Sequence, residues 1–355
     1  MSQPRVFPTS GFDILDPSKE FEEETLPDYL KERYYPVHIG EVFNSRYQVV
    51  TKLGFGSSST VRLCQDLREE RYSVLKVHVR TRRHLPEVET SNYLKANIDV
   101  HGGEMYVRLV TNSFEVIGPY GMHPCLLYQP AGIEIRDSMH CLEGDALPEN
   151  LLRPTLGFVH IALDHLHEAK VTQTDVQPNN ILLGIVDESI LTEMEDEISK
   201  PAPQKQLCDR TIYATRAMPL TSSEPNLADF GEARFAKEKQ TGLIMPNAWT
   251  LFEQGHLFKS RNHENETDYA QRFAEMISLL GPPLEASLKL WDRNGIWKAS
   301  IEIPEQSLEI RGSRLESNDK AIFLQFLWKT LRWLPEKRPT AKELLLDEWL
   351  RGNDY

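Results

Sequence analysis

Cysteine is scarce and scattered: Cys64, Cys125, Cys141 and Cys208 are the only four in 355 residues, and no two form a C-x-x-C pair. That spacing argues against structural zinc and against a disulfide framework. It fits a reducing compartment, so cytoplasm or nucleus is the expected location. No apolar run approaches the roughly 20 residues of a membrane span, and the opening Met-Ser-Gln-Pro-Arg-Val-Phe-Pro carries no signal-peptide core. Positive charge is also short, 40 Lys and Arg against 53 Asp and Glu, for a formal net charge of −13. A chain this acidic has no electrostatic means of gripping DNA or RNA phosphates; its charge is read first as a source of solubility, with attraction of a basic peptide the alternative. Nucleic acid and membrane are therefore not expected as partners, and a monomer is expected.

The hydrophobic pattern changes character along the chain. Residues 1–44 are rich in Pro, Glu and Tyr and lack periodicity; they read as an irregular extension, with a short helix near residues 26–33. Residues 45–130 carry short alternating runs rich in Val and Leu, at 47–53, 60–64 and 72–79, with two more at 105–117 and 125–128, which predict antiparallel strands. Residues 131–351 turn helical. Leu152, Leu156, Val159, Leu163 and Leu166 mark one helix face. Phe273, Met276, Ile277 and Leu280 mark a second, running near Asp268 to Leu280 and stopped by Gly281-Pro282-Pro283. Phe323, Leu324, Leu327 and Leu331 mark a third, and a capping box Thr340-x-x-Glu343 opens a last helix running to Leu350. Within this part, residues 185–224 are polar and acidic and predict a mobile surface insertion. The fold class expected is α+β, a small antiparallel sheet lobe followed by a larger helical lobe.

Chemistry-bearing residues fall in a definite order. Leu53-Gly54-Phe55-Gly56-Ser57-Ser58-Ser59-Thr60-Val61 lies between two predicted strands, where glycines let backbone N–H groups approach an anion; Ser59 occupies the place of a third glycine. Lys76 sits in an apolar strand and needs an anionic partner. Glu87 is the acid expected on the next helix, with Glu89 the alternative. Tyr128, Gln129 and Ala131 end the sheet region as a hinge that would border a base. Asp175 and Asn180 stand five apart in Thr174-Asp175-Val176-Gln177-Pro178-Asn179-Asn180, and Asp229-Phe230-Gly231 follows. Singly, each of these is an ordinary turn former or cap. In this order they supply what phosphoryl transfer needs: a carboxylate to orient the attacking hydroxyl, and an amide and a second carboxylate to hold metal on the phosphates.

The flanking sequence is more specific. Tyr35-Pro-Val-His-Ile-Gly-Glu-Val-Phe-Asn-Ser-Arg-Tyr47, His123-Pro-Cys-Leu-Leu-Tyr128, Gln173-Thr-Asp175 and Leu227-Ala-Asp-Phe-Gly-Glu-Ala233 resemble the serine/arginine-rich-protein kinases over about residues 34–350. The resemblance implies a two-lobed kinase fold and transfer of the γ-phosphate of ATP to serine in Arg-Ser-rich proteins. It implies Asp175, Lys76 and Glu87 as catalytic residues. Nucleotide contacts would come from Leu53, Gly54, Gly56, Ser57, Ser59, Val61, Lys76, Tyr128, Gln129 and Ala131, and Mg²⁺ ligands from Asn180 and Asp229.

Three departures stand against it. Gln173 replaces the family's usual histidine, and Gln177 replaces a lysine that neutralises the transferring phosphate. After Gly231 the expected Ala-Pro-Glu segment and the helix that follows it are missing; Thr241 to Trp249 runs almost directly into Thr250 to Phe258. Arg338 thereby loses the glutamate with which it is expected to pair. A nucleotide-binding scaffold and a truncated, inactive product are the alternative readings.

Overall fold

The computed structural model describes residues 2–8, 10–81, 85–97, 101–196, 202–235, 247–253, 257–258, 269–282, 302–312, 314 and 317–352. It divides into two units: Met1–Glu134 with Asn180–Phe235, and Ile135–Asn179 with Ala236–Tyr355.

Alternating residues build the first unit around a six-stranded antiparallel sheet. Its strands are β1 (Val42–Phe43), β2 (Tyr47–Gly56), β3 (Ser59–Asp66), β4 (Arg71–His78), β5 (Asn112–Gly118) and β6 (Gly121–Tyr128), in the spatial order β1-β2-β3-β4-β6-β5. The predicted strand at 105–117 forms only from Asn112; residues Glu104–Tyr106 make a 3₁₀ turn instead. Period-two alternation sends Leu75 and Val77 to one face and Val74, Lys76 and His78 to the other. On the first face, Val37, Phe43, Val49, Cys64, Leu75, Val77, Cys125 and Leu127 form one core cluster. Val74, Leu126 and Tyr128 form another with Leu53, Val61 and Val88, the last on helix α1 (Pro86–Ala96).

Two expectations about irregular segments need correction. Residues 1–44 are not merely an extension. Val42 and Phe43 join the sheet edge as β1, Tyr34 and Val37 are buried, and two 3₁₀ turns, Glu22–Thr25 and Lys31–Arg33, replace the short helix. In the stretch 185–224, a helix Ser189–Asp196 packs Leu191 and Met194 onto Val50 and Leu63. The ribbon Gln204–Gln206 with Thr211–Tyr213 buries Lys205, Ile212 and Tyr213. The physical reason is charge pairing that composition alone conceals. Lys52 of β2 is fully buried, with its ammonium against Glu23 and 3.1 Å from Glu22. Glu22 also accepts from the hydroxyl of Thr215 at 2.6 Å, and Glu24 pairs with Lys205 at 2.6 Å. Polar residues of two distant segments thus become interior groups by satisfying one another.

The second unit is helical. Helix Glu149–Glu168 buries Leu152, Leu156, Val159 and Leu166, with Leu163 half-buried. Helices Tyr269–Leu280 and Ser317–Thr330 lie where the periodicity places them, and Gly281 ends the first at φ +72°. Asp268 and Pro283 lie outside the described residues. Thr340 and Glu343 form the expected capping box, but the last helix breaks into Ala341–Leu345 and Glu348–Arg351. Asp347 causes the break, because its carboxylate caps the Trp349 N–H and starts a new turn. Trp349 then packs on Phe323 and Phe326 at 4.8 and 5.0 Å between ring centres. Arg338 donates to the carbonyls of Arg332 and Trp333, which ties down the turn before the capping box.

Lys52 gives a direct test of the buried charges. Burial pushes its pKa down, and Glu23 and Glu22 only partly offset that. Lys52→Met should lower unfolding free energy by about 3 kcal/mol, since it strands buried carboxylates. Adding Glu23→Leu should recover much of the loss, because an apolar replacement of a whole pair is often tolerated. Urea unfolding of the three proteins measures this; equal stability of wild type and Lys52→Met would refute it.

Candidate active site

The register of the sheet assembles the first part of the site. Lys76 lies opposite Leu126, and Tyr128 opposite Val74, so Tyr128 is a diagonal neighbour of Lys76 on one face. His78, two residues beyond Lys76, shares that face. Above it, α1 begins with Pro86 at its first turn, followed at once by Glu87. Glu87 is 3% exposed. Its Oε1 receives the Lys76 ammonium at 2.8 Å and the Tyr128 hydroxyl at 3.1 Å. The Nε2 of His78 is 3.3 Å from Oε2, near enough for attraction though not aligned as a hydrogen bond. Glu89, the alternative acid, is exposed.

These contacts fix the charge states. Burial alone would raise the Glu87 pKa, but the Lys76 ammonium, with His78, outweighs it and holds the carboxyl far below the usual range. Burial would likewise discharge Lys76, and Glu87 and Asp229 together raise its pKa instead.

A short ladder supplies the second part. Ile181–Leu183 pairs antiparallel with Pro225–Leu227, Ile181 opposite Leu227, and the Ala228 N–H donates to the Asn180 carbonyl at 2.8 Å. The stretch between them is the long connection of this ladder, so Asn180 and Asp229 emerge at the same end despite their separation in sequence. Asp229 takes a left-handed conformation, φ +57° and ψ 81°, and its Oδ1 accepts the Gly231 N–H at 3.2 Å. Its Oδ2 lies 3.3 Å from the Lys76 ammonium. The side chain of Asp229 remains 46% exposed, while Asn180 is buried. Asn180 and Asp229 offer oxygen donors only, the set that suits Mg²⁺.

The glycine segment differs from a loop. Gly54 and Gly56 lie within β2, paired with Val61 and Ser59, and only Ser57 and Ser58 form the turn. A Cβ built on either glycine meets no atom within 4 Å, so the backbone there faces open space. Ser57 is exposed and Ser59 buried. Leu53, Val61, Val74 and Tyr128 share one apolar cluster. At the hinge, Ala131 is buried, and the Gln129 carbonyl accepts from Arg108 at 2.8 and 3.1 Å, with the guanidinium 4.8 Å over the Tyr128 ring. Sequence reading missed Arg108 and His78. Neither stands in a motif, and only the sheet register and the 101–111 loop bring them in.

Asp175 belongs to the second unit, where the Gln177 amide donates to its Oδ2 at 2.9 Å. Thr241 to Pro246 lie outside the described residues, and Trp249, Leu251 and Phe252 beyond them are buried in a helix Asn247–Phe252.

No family model matches the chain. It is similar to a serine/threonine protein kinase of Aspergillus fumigatus, 38% identical over 98% of this chain and 95% of that protein. That alignment runs over 388 positions, more than the 355 residues present, so the relative carries a few dozen positions that this chain lacks. SRSF protein kinase 3 of Mus musculus is 36% identical over 48% of this chain and 31% of its own length. Protein kinase dsk1 of Schizosaccharomyces pombe is 30% identical over 64% and 44%. A crystal structure of a kinase domain covers 89% of this chain and 98% of its own, with a TM-score of 0.66 and 19% identity, a likeness of fold.

The ion pair at Glu87 sets a pH dependence that can be measured. A carboxyl whose folded pKa is depressed stabilises the fold above its unfolded pKa, about 4.3, and loses that contribution as pH falls toward the folded value. Lys76→Met removes the partner and should cost about 3 kcal/mol at pH 7. Denaturant unfolding should show the gap between wild type and variant narrowing as pH drops below about 4. A gap independent of pH would mean that the pair does not hold Glu87 charged.

Proposed function

The chain belongs to the serine/threonine protein kinases, in the branch resembling the SR-protein kinases, and from that premise we propose the role of each site residue and the class of substrate. The observation that carries the reading is Lys76, held between Glu87 and Asp229 at 2.8 and 3.3 Å, on a sheet whose glycines face open space. Lys76 binds the α- and β-phosphates of ATP, and Glu87 fixes its direction. Gly54, Gly56, Ser57 and Ser59 offer backbone and hydroxyl donors to the phosphates. Leu53, Val61 and Tyr128 enclose the base, with backbone groups of Gln129 and Ala131 at its edge. Asn180 and Asp229 would hold Mg²⁺, which neutralises charge on the phosphates.

Asp175 accepts the proton of the substrate serine as its oxygen bonds to the γ-phosphorus; the bond from that phosphorus to the β–γ bridging oxygen breaks, and ADP leaves. The substrate class proposed is a basic, Arg-Ser-rich protein. Its support is the net charge of −13 and the similarity to proteins named SRSF protein kinase 3.

Gln177 sets the rate. An amide 2.9 Å from the Asp175 carboxylate satisfies one oxygen but brings no positive charge. We infer that transfer is slow for lack of that charge.

Asp175→Asn should reduce phosphorylation of an Arg-Ser peptide by about 10²-fold, read by radiolabelled phosphate incorporation. Unchanged activity, or preference for an acidic peptide, would overturn the assignment. Gln177→Lys should raise kcat by roughly tenfold, the scale of about 1.4 kcal/mol of transition-state stabilisation. A lower kcat in that variant would show that the amide contributes more by orienting Asp175 than the ammonium would by its charge.

A further inference from the structure

Glu87 carries more partners than a lysine alone would give it. Tyr128 is 5% exposed, so its hydroxyl hydrogen must find an acceptor within the protein. The acceptor is Oε1 of Glu87, the same oxygen that receives Lys76. Tyr128 is also the last residue of β6, directly before Gln129 and the hinge. Its ring lies in the cluster of Leu53, Val61 and Val74, under the Arg108 guanidinium, which in turn grips the Gln129 carbonyl. One side chain therefore joins the hinge to the carboxylate that aims Lys76.

We propose that Tyr128 is a positioning residue for phosphate binding: its hydroxyl holds Glu87 Oε1 where Lys76 meets it, so that the hinge and the phosphate-binding lysine are set as one unit. The inference rests on the assignment of Lys76 to the nucleotide phosphates.

Two features make the hydroxyl, rather than the ring, the acting group. The ring is fixed by apolar neighbours and by Arg108, and phenylalanine would fill the same volume. The hydroxyl donates to Glu87 Oε1, and the residue is 5% exposed. Losing it leaves Oε1 to Lys76 alone and frees the carboxylate to rotate toward His78, whose Nε2 lies 3.3 Å from Oε2. Lys76 would follow, shifting toward Asp229 and away from its present position. Burial, and then Glu87, raise the Tyr128 pKa well above its ordinary value, which keeps the phenol protonated as a donor at neutral pH.

The test compares ligands with and without phosphates on the full chain. Tyr128→Phe should weaken binding of Mg²⁺-ATP by about threefold to tenfold, the scale of one ordinary net hydrogen bond, because the loss reaches the phosphates only through Glu87 and Lys76. It should weaken adenosine binding less, because phenylalanine keeps the aromatic ring beside Leu53 and Val61 and removes only the hydroxyl. A ring that merely packs at the hinge predicts equal effects on both ligands. Calorimetry reads the affinities, and melting temperatures confirm that the variant folds. In a Glu87→Gln background, which keeps an acceptor for the hydroxyl but removes the charge that aims Lys76, Tyr128→Phe should have little further effect on ATP. Three results separate the claims. Loss of ATP affinity in Lys76→Met with equal ATP and adenosine effects in Tyr128→Phe overturns this inference and leaves the assignment of Lys76 standing. Additive effects of Tyr128→Phe and Glu87→Gln also overturn it. Unchanged ATP affinity in Lys76→Met overturns both.

Discussion

A carboxylate enclosed to 3% exposure stays charged only if donors surround it, and the first unit is organised around meeting that demand at Glu87. Lys76 and Tyr128 share one oxygen and His78 faces the other. The backbone of all three is placed by the sheet. The strand alternation of β4 places Lys76 and His78 on one face, and the β4–β6 register adds Tyr128. Helix α1 contributes only the acid, at a start set by Pro86. A one-residue slip of β4 would send Lys76 and His78 to the opposite face and leave Glu87 buried without its cation, at a cost of several kcal/mol. The same ion pair that equips the site therefore also fixes the sheet.

Charge is buried on the other face as well, with a different result. Lys52 and Arg62 both lie inward on neighbouring strands, opposite each other in register. Two adjacent buried cations need acids, and the sheet supplies none there. Glu22, Glu23 and Glu24 come from the N-terminal segment, and the ribbon at 204–213 is drawn in through Lys205. Residues 13 to 15 add backbone hydrogen bonds to Gln204 on both sides. The result is a polar interior layer in which the N-terminal segment and the long connection depend on each other and on β2, the strand that ends in Gly54 and Gly56.

That layer shows where sequence reading stops. Strand alternation, helix periodicity and the capping box at Thr340 are local signals, and the elements they mark form, though the strand expected from 105 starts only at Asn112 and the last helix is split at Asp347. The site motifs are local too: Lys76, Asn180 and Asp229 each announce themselves by neighbours. Composition misled at 185–224, because Glu195, Lys205 and Arg210 read as surface charges while their partners lie far away in sequence, as Arg5 does from Glu195. Arg108 and His78 were illegible for the same reason, since each acts through a pairing that only tertiary structure creates. The break at Asp347 was legible in principle: an aspartate two residues before a buried tryptophan can cap a fresh turn as readily as continue a helix.

The departures from the family pattern sort by what they touch. Lys76, Glu87, Asn180 and Asp229 keep the residue types that nucleotide and metal chemistry requires. Gln173, Gln177 and the missing stretch before Trp249 lie outside that set. Gln177 shows the character of the change. Its amide donates to Oδ2 of Asp175 at 2.9 Å. What is absent is charge. A cation beside a transferring phosphate stabilises developing charge in a way that a neutral amide donor does not. A hydrogen bond to Asp175 is thus kept while the charge is not.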